Sequence, residues 1–342
     1  MTAPTSPADA LDRVVYLLDR ALAEGRRVQA YAKARDLVRE LGDEEIARRH
    51  ADGTLLDLPG IGPSTGKVIG MALDGDVDGY LAELEDETAI DEGEGADLRA
   101  ALKGDCHTHT VWSDGGAPTE VMARTAESLG HEYLVVTDHS PRLTIAHGLN
   151  RERLLQQLEE IAALNEQLAP FRILTGMEVD ILEDGSLDQD LDLLERLDVV
   201  VASVHSKLRM PEQEMTRRMV MAVASPHVDI LGHCTGRKVV GSGRPQSQFD
   251  PEIVFAACAR FGTAVEINCR PERQDPPEEL LQLALDWDCR ISIDTDAHAP
   301  GQLEWQAYGC DKAARLGIEP ERIVNTMSAD DLVAWTQTHA TA

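Results

Sequence analysis

With 342 residues, 43% of them hydrophobic, the chain is long enough for two domains and a sizeable core; with only 4% aromatics, that core must rest on Leu, Val, Ile and Ala. A formal net charge of −29, from 61 acidic and 32 basic residues, excludes a broadly basic surface and leaves only local contact with a polyanion. No run approaches the ~20 apolar residues that span a membrane, Met1–Ala10 lacks a secretory signal, and six scattered cysteines without a CxxC pair read as reduced thiols of a cytoplasmic protein.

Residues 9–82 are predicted to be helical, with Leu and Val at helical period in Leu11–Leu22 and Tyr31–Leu41. Residues 1–70 are close to charge balance, 10 Lys/Arg against 11 Asp/Glu, whereas residues 104–342 carry 20 against 39. Contact with a polyanion is therefore expected in the N-terminal region. There, Gly60-Ile61-Gly62 stands before a helix and would expose backbone N–H groups, which suits a phosphate. Residues 83–102 read as an acidic linker, with eight acids and no bases in residues 83–97.

From Lys103 short runs rich in β-branched residues alternate with longer amphipathic stretches. Strands are predicted at Gly104–Thr108, Tyr133–Thr137, Arg172–Met177, Asp198–Val204, Val228–Leu231, Thr263–Ile267 and Arg290–Ile293. Stretches such as Thr119–Leu129, Glu152–Leu168 and Pro251–Arg260 read as the intervening helices. The α/β alternation implies parallel pairing, and seven units favour a barrel; periodicity alone leaves an open doubly wound sheet as the alternative.

Ionisable residues fall at the ends of these strands: His107, His109 and Asp114 after the first, Asp138 and His139 after the second, Glu178 after the third. His205 and His233 follow the fourth and fifth, Glu266 and Asn268 the sixth, Asp296 and His298 the seventh. In a parallel barrel all strand C-termini share one face, so these side chains converge. Residues two apart, such as His107 and His109, point the same way and can grip one ion. A single strand-end histidine is more often a structural hydrogen-bonding group. Six of the 11 histidines sit at strand ends, however, which chance placement does not supply. His131 and His227 precede their strands and read as structural; His50, His147 and His339 lie elsewhere. Imidazole with carboxylate suits zinc, manganese or iron. Two or three such ions activate water and clamp a phosphoryl centre. Lys207, Arg237, Lys238, Arg270 and Arg273 follow strand ends, and Lys207, Arg237 and Arg273 are expected to hold the substrate phosphate.

The order and spacing of HTHT…SDG, TDH, GME, SVHS, LGH and DTDAH resemble the PHP (polymerase and histidinol phosphatase) superfamily. The resemblance implies a distorted (β/α)7 barrel over residues 103–338 with a trinuclear site. Its nine ligands would fall on His107, His109, Asp114, His139, Glu178, His205, His233, Asp296 and His298. It further implies that Glu178 bridges two ions, that Asp114, His139 and His298 hold a third, and that hydroxide is generated beside Glu178, His205 and His233. Within the superfamily the likeness is to the C-terminal barrel of bacterial family X DNA polymerases, carried by NRERLLQQLEEIAALNE, GMEVDILEDGSLD, LDVVVASVHS, VDILGHCTGR and AVEINCRPER. Cys234 stands where that family usually has Pro. His147 stands where it usually has Gly, which would put an extra imidazole near the site entrance and affect substrate choice. LLDLPGIGPSTGKVI resembles a helix-hairpin-helix motif, implying DNA contact through Gly60, Ile61, Gly62, Thr65 and Lys67. Residues 9–82 as a whole resemble the small DNA-end-binding domain of the same polymerases.

Only a short segment stands where those polymerases carry palm and fingers. Asp76-Val77-Asp78 lies in a glycine-rich turn, Asp294-Thr295-Asp296 belongs to the barrel, and Gly241-Ser242-Gly243-Arg244 lies in a barrel loop, so no polymerase activity is expected. The expected activity is hydrolysis of phosphate esters at DNA 3′ ends, as a 3′→5′ exonuclease or 3′-phosphatase in DNA repair, with two to three Mn2+, Zn2+ or Fe2+ ions. The alternatives are a histidinol-phosphatase-like enzyme acting on a small phosphorylated metabolite, and a non-catalytic DNA-binding adaptor.

Overall fold

The computed structural model describes residues 5–241 and 243–338; Ser242 of the Gly241-Ser242-Gly243-Arg244 run and His339 lie outside the described residues. The chain divides into two compact units, Met1–Ile90 and Asp91–Ala342. The first unit comprises α1 (Pro7–Arg20), α2 (Gly25–Leu41), α3 (Asp43–Ala51), α4 (Pro63–Asp74) and α5 (Val77–Glu87). Ser6 starts α1 by accepting the Asp9 N–H, and Gly75, in the left-handed region, ends α4. The helical apolar spacing gathers Leu11, Val14, Leu17 and Leu18 of α1, Tyr31, Ala34 and Val38 of α2, and Val68, Ile69 and Ala72 of α4 into one core. The buried Arg20 holds Glu85 and Thr88 at 2.8 Å each, which ties α1 to the end of α5.

The segment expected as an acidic linker, residues 83–102, is largely built into helices. α5 continues to Glu87 with Leu84 buried, and α6 (Ala96–Ala101) buries Leu98. The acids other than Glu85, which turns to Arg20, are exposed, while Leu84, Leu98 and Leu102 anchor the chain. Gly95 presses so closely on the chain at Asp311 that a Cβ would come within 2.3 Å of its backbone nitrogen. Irregular chain remains between Glu87 and the 3-10 turn Gly93–Gly95.

In the second unit β1 (Gly104–Thr108), β2 (Tyr133–Val136), β3 (Arg172–Asp180), β4 (Val199–Ser203), β5 (Ile230–Leu231), β6 (Ala264–Asn268) and β7 (Ile291–Asp294) lie in chain order. Every neighbouring pair is parallel. A doubly wound sheet reverses its strand order partway, so this order rules that alternative out. β1 and β7 meet through a bridge between Thr108 and Ala297, and the His109 N–H donates to Ala297 O at 2.8 Å. The barrel is thereby nearly closed. Between the strands run α7 (Thr119–Ser128), α8 (Arg151–Leu168), α9 (Leu191–Leu194), α10 (Glu212–Val223), α11 (Pro251–Phe261) and α12 (Glu278–Asp286). α13 (Gln306–Arg315) and α14 (Ala329–Thr336) follow β7. Strands such as Val199–Ser203 are buried along their whole length, as expected for a parallel sheet covered by helices.

β3 and β5 differ from expectation by more than one residue. β3 runs on to Asp180 because Val179 and Asp180 continue the ladder with Ala202 and Ser203, so Glu178 lies inside a strand. β5 starts two residues late, at Ile230, and ends as expected at Leu231; beyond it a Cβ on Gly232 would sit 2.3 Å from Ser203 Oγ, and His233 turns to φ 21°. Among the described residues no helix is long and apolar enough to cross a membrane. All six cysteines are buried and free.

Candidate metal centre

Glu178 occupies the middle of the strand C-terminal face, fully buried, with its two oxygens serving different neighbours. Oε1 lies 2.8 Å from His233 Nε2 and 3.2 Å from His205 Nε2. Oε2 lies 2.9 Å from His139 Nδ1, 3.4 Å from His107 Nε2 and 3.6 Å from His109 Nε2. His139 turns its other nitrogen to Asp114 at 3.5 Å, and His298 Nε2 approaches the same carboxylate at 3.3 Å. Asp296 Oδ1 lies 3.3 Å from His109 Nε2. A chain of contacts no longer than 3.6 Å therefore joins all nine side chains that the sequence resemblance singled out.

These atoms fit cations better than one another. His107 Nε2, both ring nitrogens of His109, His139 Nδ1 and Glu178 Oε2 are buried without a hydrogen-bond partner. Each such orphan costs about 1–3 kcal/mol, a cost that a divalent ion removes for several at once. Three groups have ligand atoms mutually within 4.8 Å: His109, Asp114, His139 and His298; His107, His109 and Glu178; and His139, Glu178 and His205. His109 thus adjoins the Asp114 group as well as Glu178, a sharing that the resemblance did not imply. His233 and Asp296 complete the ring at φ 21° and 53°, both in the left-handed region. Strained backbone of this kind persists where the surroundings over-determine it, typically at functional sites.

Electrostatics points the same way. Burial pushes the Glu178 carboxyl up, but His205, His107 and His139 outweigh it and hold it well below the usual carboxylate range. Burial pulls His205 down, yet Glu178 and Asp180 carry it up to about 9, and Glu178 with Glu266 likewise raises His107 against its burial. These rings hold protons where a cation can substitute for them. Burial, then Arg273, brings His233 down to about 3.

A shell of buried carboxylates orients the ligand candidates. Glu266 Oε1 lies 2.6 Å from His107 Nδ1, and its other oxygen accepts the His233 N–H. Asp138, a strand-end candidate by sequence, serves the loop instead. It accepts from Thr110 N (2.9 Å), Thr110 Oγ1 (2.7 Å), Ser113 N (3.1 Å) and Gln157 Nε2 (2.6 Å), which positions Asp114 at the end of that loop. Asn268 donates to Glu266 at 3.3 Å and to Asp296 at 3.2 Å. Asp105 fixes the β7 turn through Thr295 Oγ1 at 2.5 Å, and Asp180 accepts the His205 N–H at 3.1 Å. Sequence reasoning passed over Asp105 and Asp180. For Asp180 the signal was present: it is two residues from Glu178 on the same strand face.

The basic candidates fall in different places. Arg273, largely buried, reaches Asp296 Oδ2 at 3.3 Å, beside the ligand cluster. Arg270 reaches the same carboxylate at 3.7 Å and donates toward His298 Nδ1 at 2.8 Å. Arg237 instead donates to the carbonyls of Arg273, at 3.1 Å, and Gln274, and lines a cavity with Lys312 and Arg315. Lys207 is exposed at φ 54°. In the first unit Gly60 has φ 99°, and nothing lies within 4 Å of a Cβ built on Gly60 or Gly62. Ile61 is buried, and its N–H donates to Leu58 O. Thr65 is also buried; its hydroxyl accepts the Gly62 N–H at 2.9 Å, so neither of these two groups faces outward freely. Lys67 is exposed, over the Tyr80 ring at 5.5 Å.

The PHP domain profile matches residues 105–241. The chain is 38% identical over 234 residues to the DNA polymerase/3′-5′ exonuclease PolX of Bacillus subtilis, an alignment covering 68% of this chain but 41% of that protein. It thus spans well under half the length of this relative. A probable phosphatase of Acetivibrio thermocellus is 32% identical over 203 residues, covering 57% of this chain and 78% of that one. A solved histidinol phosphate phosphatase from Lactococcus lactis, complexed with zinc, L-histidinol and phosphate, superposes with a TM-score of 0.43 at 18% identity. That superposition covers 62% of this chain and 94% of the other. The parallel barrel, the histidine and carboxylate clusters able to hold metal ions and these sequence matches agree: the chain belongs to the PHP family and is a phosphate-ester hydrolase.

Proposed function

We propose that the chain hydrolyses phosphate esters at DNA 3′ ends, as a 3′→5′ exonuclease or 3′-phosphatase, in the cytoplasm and without polymerising. The observation that carries the DNA assignment is the open turn at Gly60 and Gly62, where no atom lies within 4 Å of either absent Cβ, at the start of α4 with Lys67 exposed. We read it as a helix-hairpin-helix contact in which the DNA backbone approaches the open turn and Lys67, the Ile61 and Gly62 N–H groups being engaged within the turn itself. The likeness to a relative named a DNA polymerase/3′-5′ exonuclease supports this reading.

His107, His109, Asp114, His139, Glu178, His205, His233, Asp296 and His298 would hold two to three ions, manganese, zinc or iron. Bound there, such ions lower the pKa of water and neutralise charge on a phosphoryl group. The chain's own contribution is preorganisation. Glu178 presents its two oxygens to separate histidine sets, and Glu266 fixes the His107 ring. Arg273 supplies a guanidinium at the edge of the cluster for a non-bridging phosphate oxygen. Lys207 stands two residues beyond His205 and would meet substrate at the rim, whereas Arg237, engaged with two carbonyls, would act by holding the Arg273 loop.

A second reading, hydrolysis of a small phosphorylated metabolite, is favoured by the net charge of −29 and by the probable phosphatase of which the chain spans 78%. A manganese-supplemented assay of a 3′-recessed oligonucleotide against histidinol phosphate, over rising salt, separates the two. Shortening from the 3′ end with an affinity that falls steeply with salt is the expected result. Preference for histidinol phosphate with little salt dependence would overturn the DNA assignment.

A further inference from the structure

Beside the Asp114, His139 and His298 group lies a separate cavity of 510 Å³, within the size range of small-ligand sites. It is a shallow, open depression whose lining includes Ser113, next to Asp114, and Pro141, two residues beyond His139. Val111 adds an apolar surface that is 53% exposed, and His147 completes the rim.

The cavity is built rather than left over. Arg153 of α8 closes it by donating to Gly148 O at 3.3 Å and to the carbonyls of His147 and Trp112. One guanidinium thus pins the loop after β2 to the loop after β1, while lying 5.8 Å from the Trp112 ring centroid. Leu149 N–H donates to His139 O at 2.7 Å, and a Cβ on Gly148 would meet Ser140 O at 1.8 Å, so the same loop is docked against the ligand-bearing strand end. The cavity's position is therefore tied to that of His139 and Asp114. His147 is held at φ 56°, ψ 36°, in the left-handed region, with its imidazole on the exposed rim. That is an unfavourable backbone for a side chain that has no packing role.

We infer that this cavity receives the nucleobase of the nucleotide whose ester is cleaved, with the His147 ring stacked on it. The inference rests on the DNA-end reading above. A flat heteroaromatic base matches a lining that combines an imidazole with the apolar Val111 and Pro141. Because every base has a π-face, the contact favours a base over none without choosing among the four.

The test uses the full chain with manganese and two oligonucleotides, one ending in a normal 3′ nucleotide and one in an abasic residue. The protein should show a KM about tenfold lower for the base-bearing end, with kcat changed less than about twofold. His147→Gly and His147→Asn, both at ease in the left-handed region, should each abolish that ratio while melting within ~2 °C of the parent. Variants that keep the ratio, or a parent that treats both ends alike, would overturn the base site and leave the DNA-end reading standing. Cleavage of p-nitrophenyl phosphate with neither oligonucleotide cut would overturn both.

Discussion

Glu266 Oε1 lies 2.6 Å from Nδ1 of His107, and both side chains are fully buried. An ionised Glu266 can only accept, so this contact places a proton on Nδ1 and leaves Nε2, 3.4 Å from Glu178, as the nitrogen whose proton a cation would replace. Burial nevertheless raises Glu266 to about 7, against the pull of His107. Replacing Glu266 with Gln removes the charge that fixes the tautomer while keeping the size. Metal affinity measured by chelator competition should fall by about 10–100-fold. Unchanged affinity would mean that His107 needs no orienting partner.

The open turn of the first unit gives a test in which folding and binding separate. Gly60, at φ 99°, would be strained by any side chain, whereas Gly62, at φ −101°, has ordinary extended geometry and free space around it. Gly62→Val, a poorer N-cap for α4, should cost no more than about 1 kcal/mol of stability yet block close approach of a phosphate backbone. DNA affinity should fall by a similar factor for every sequence. Unaltered affinity would leave the turn a purely structural feature.

His131 is 6% exposed, and its Nε2 lies 3.1 Å from the Arg99 guanidinium. Burial, with repulsion from Arg99, brings it down to about 3. The unfolded chain then binds a proton, near pH 6.5, that the folded chain refuses. Stability is fully present above about pH 6.5 and is lost as pH falls toward 3, amounting to roughly 3 kcal/mol by pH 4. His131→Gln should flatten this part of the acid limb in denaturant titrations at pH 7, 5.5 and 4. A variant as acid-sensitive as the parent would contradict the assignment.

Most of the site was legible in the chain because its chemistry is concentrated at strand ends. His107 and His109, or Asp296 and His298, are paired by strand periodicity, and parallel closure carries each pair to the same face. A TDH end offers two candidates; strand-end position alone does not choose between Asp138 and His139, and the fold shows that Thr110, Ser113 and Gln157 claim the first. The Gln157 contact comes from α8, 19 residues away, and no local pattern announces it. The acidic linker was overextended because charge count hid Leu84 and Leu98, each anchoring a short helix. Arg237 and Arg273 looked equivalent in sequence; carbonyls of the 273–274 turn engage one and Asp296 holds the other beside the cluster.

The most direct test of the metal-dependent account is elemental analysis of the purified chain and of Glu178→Gln, paired with phosphoesterase rates. The carboxylate at the centre meets His233 through one oxygen and His139 through the other, so its amide should fail to serve both. The parent should hold two to three divalent transition ions per chain. The variant should lose at least one, with kcat down by about 100-fold or more. Full metal content with full activity in Glu178→Gln would contradict the account.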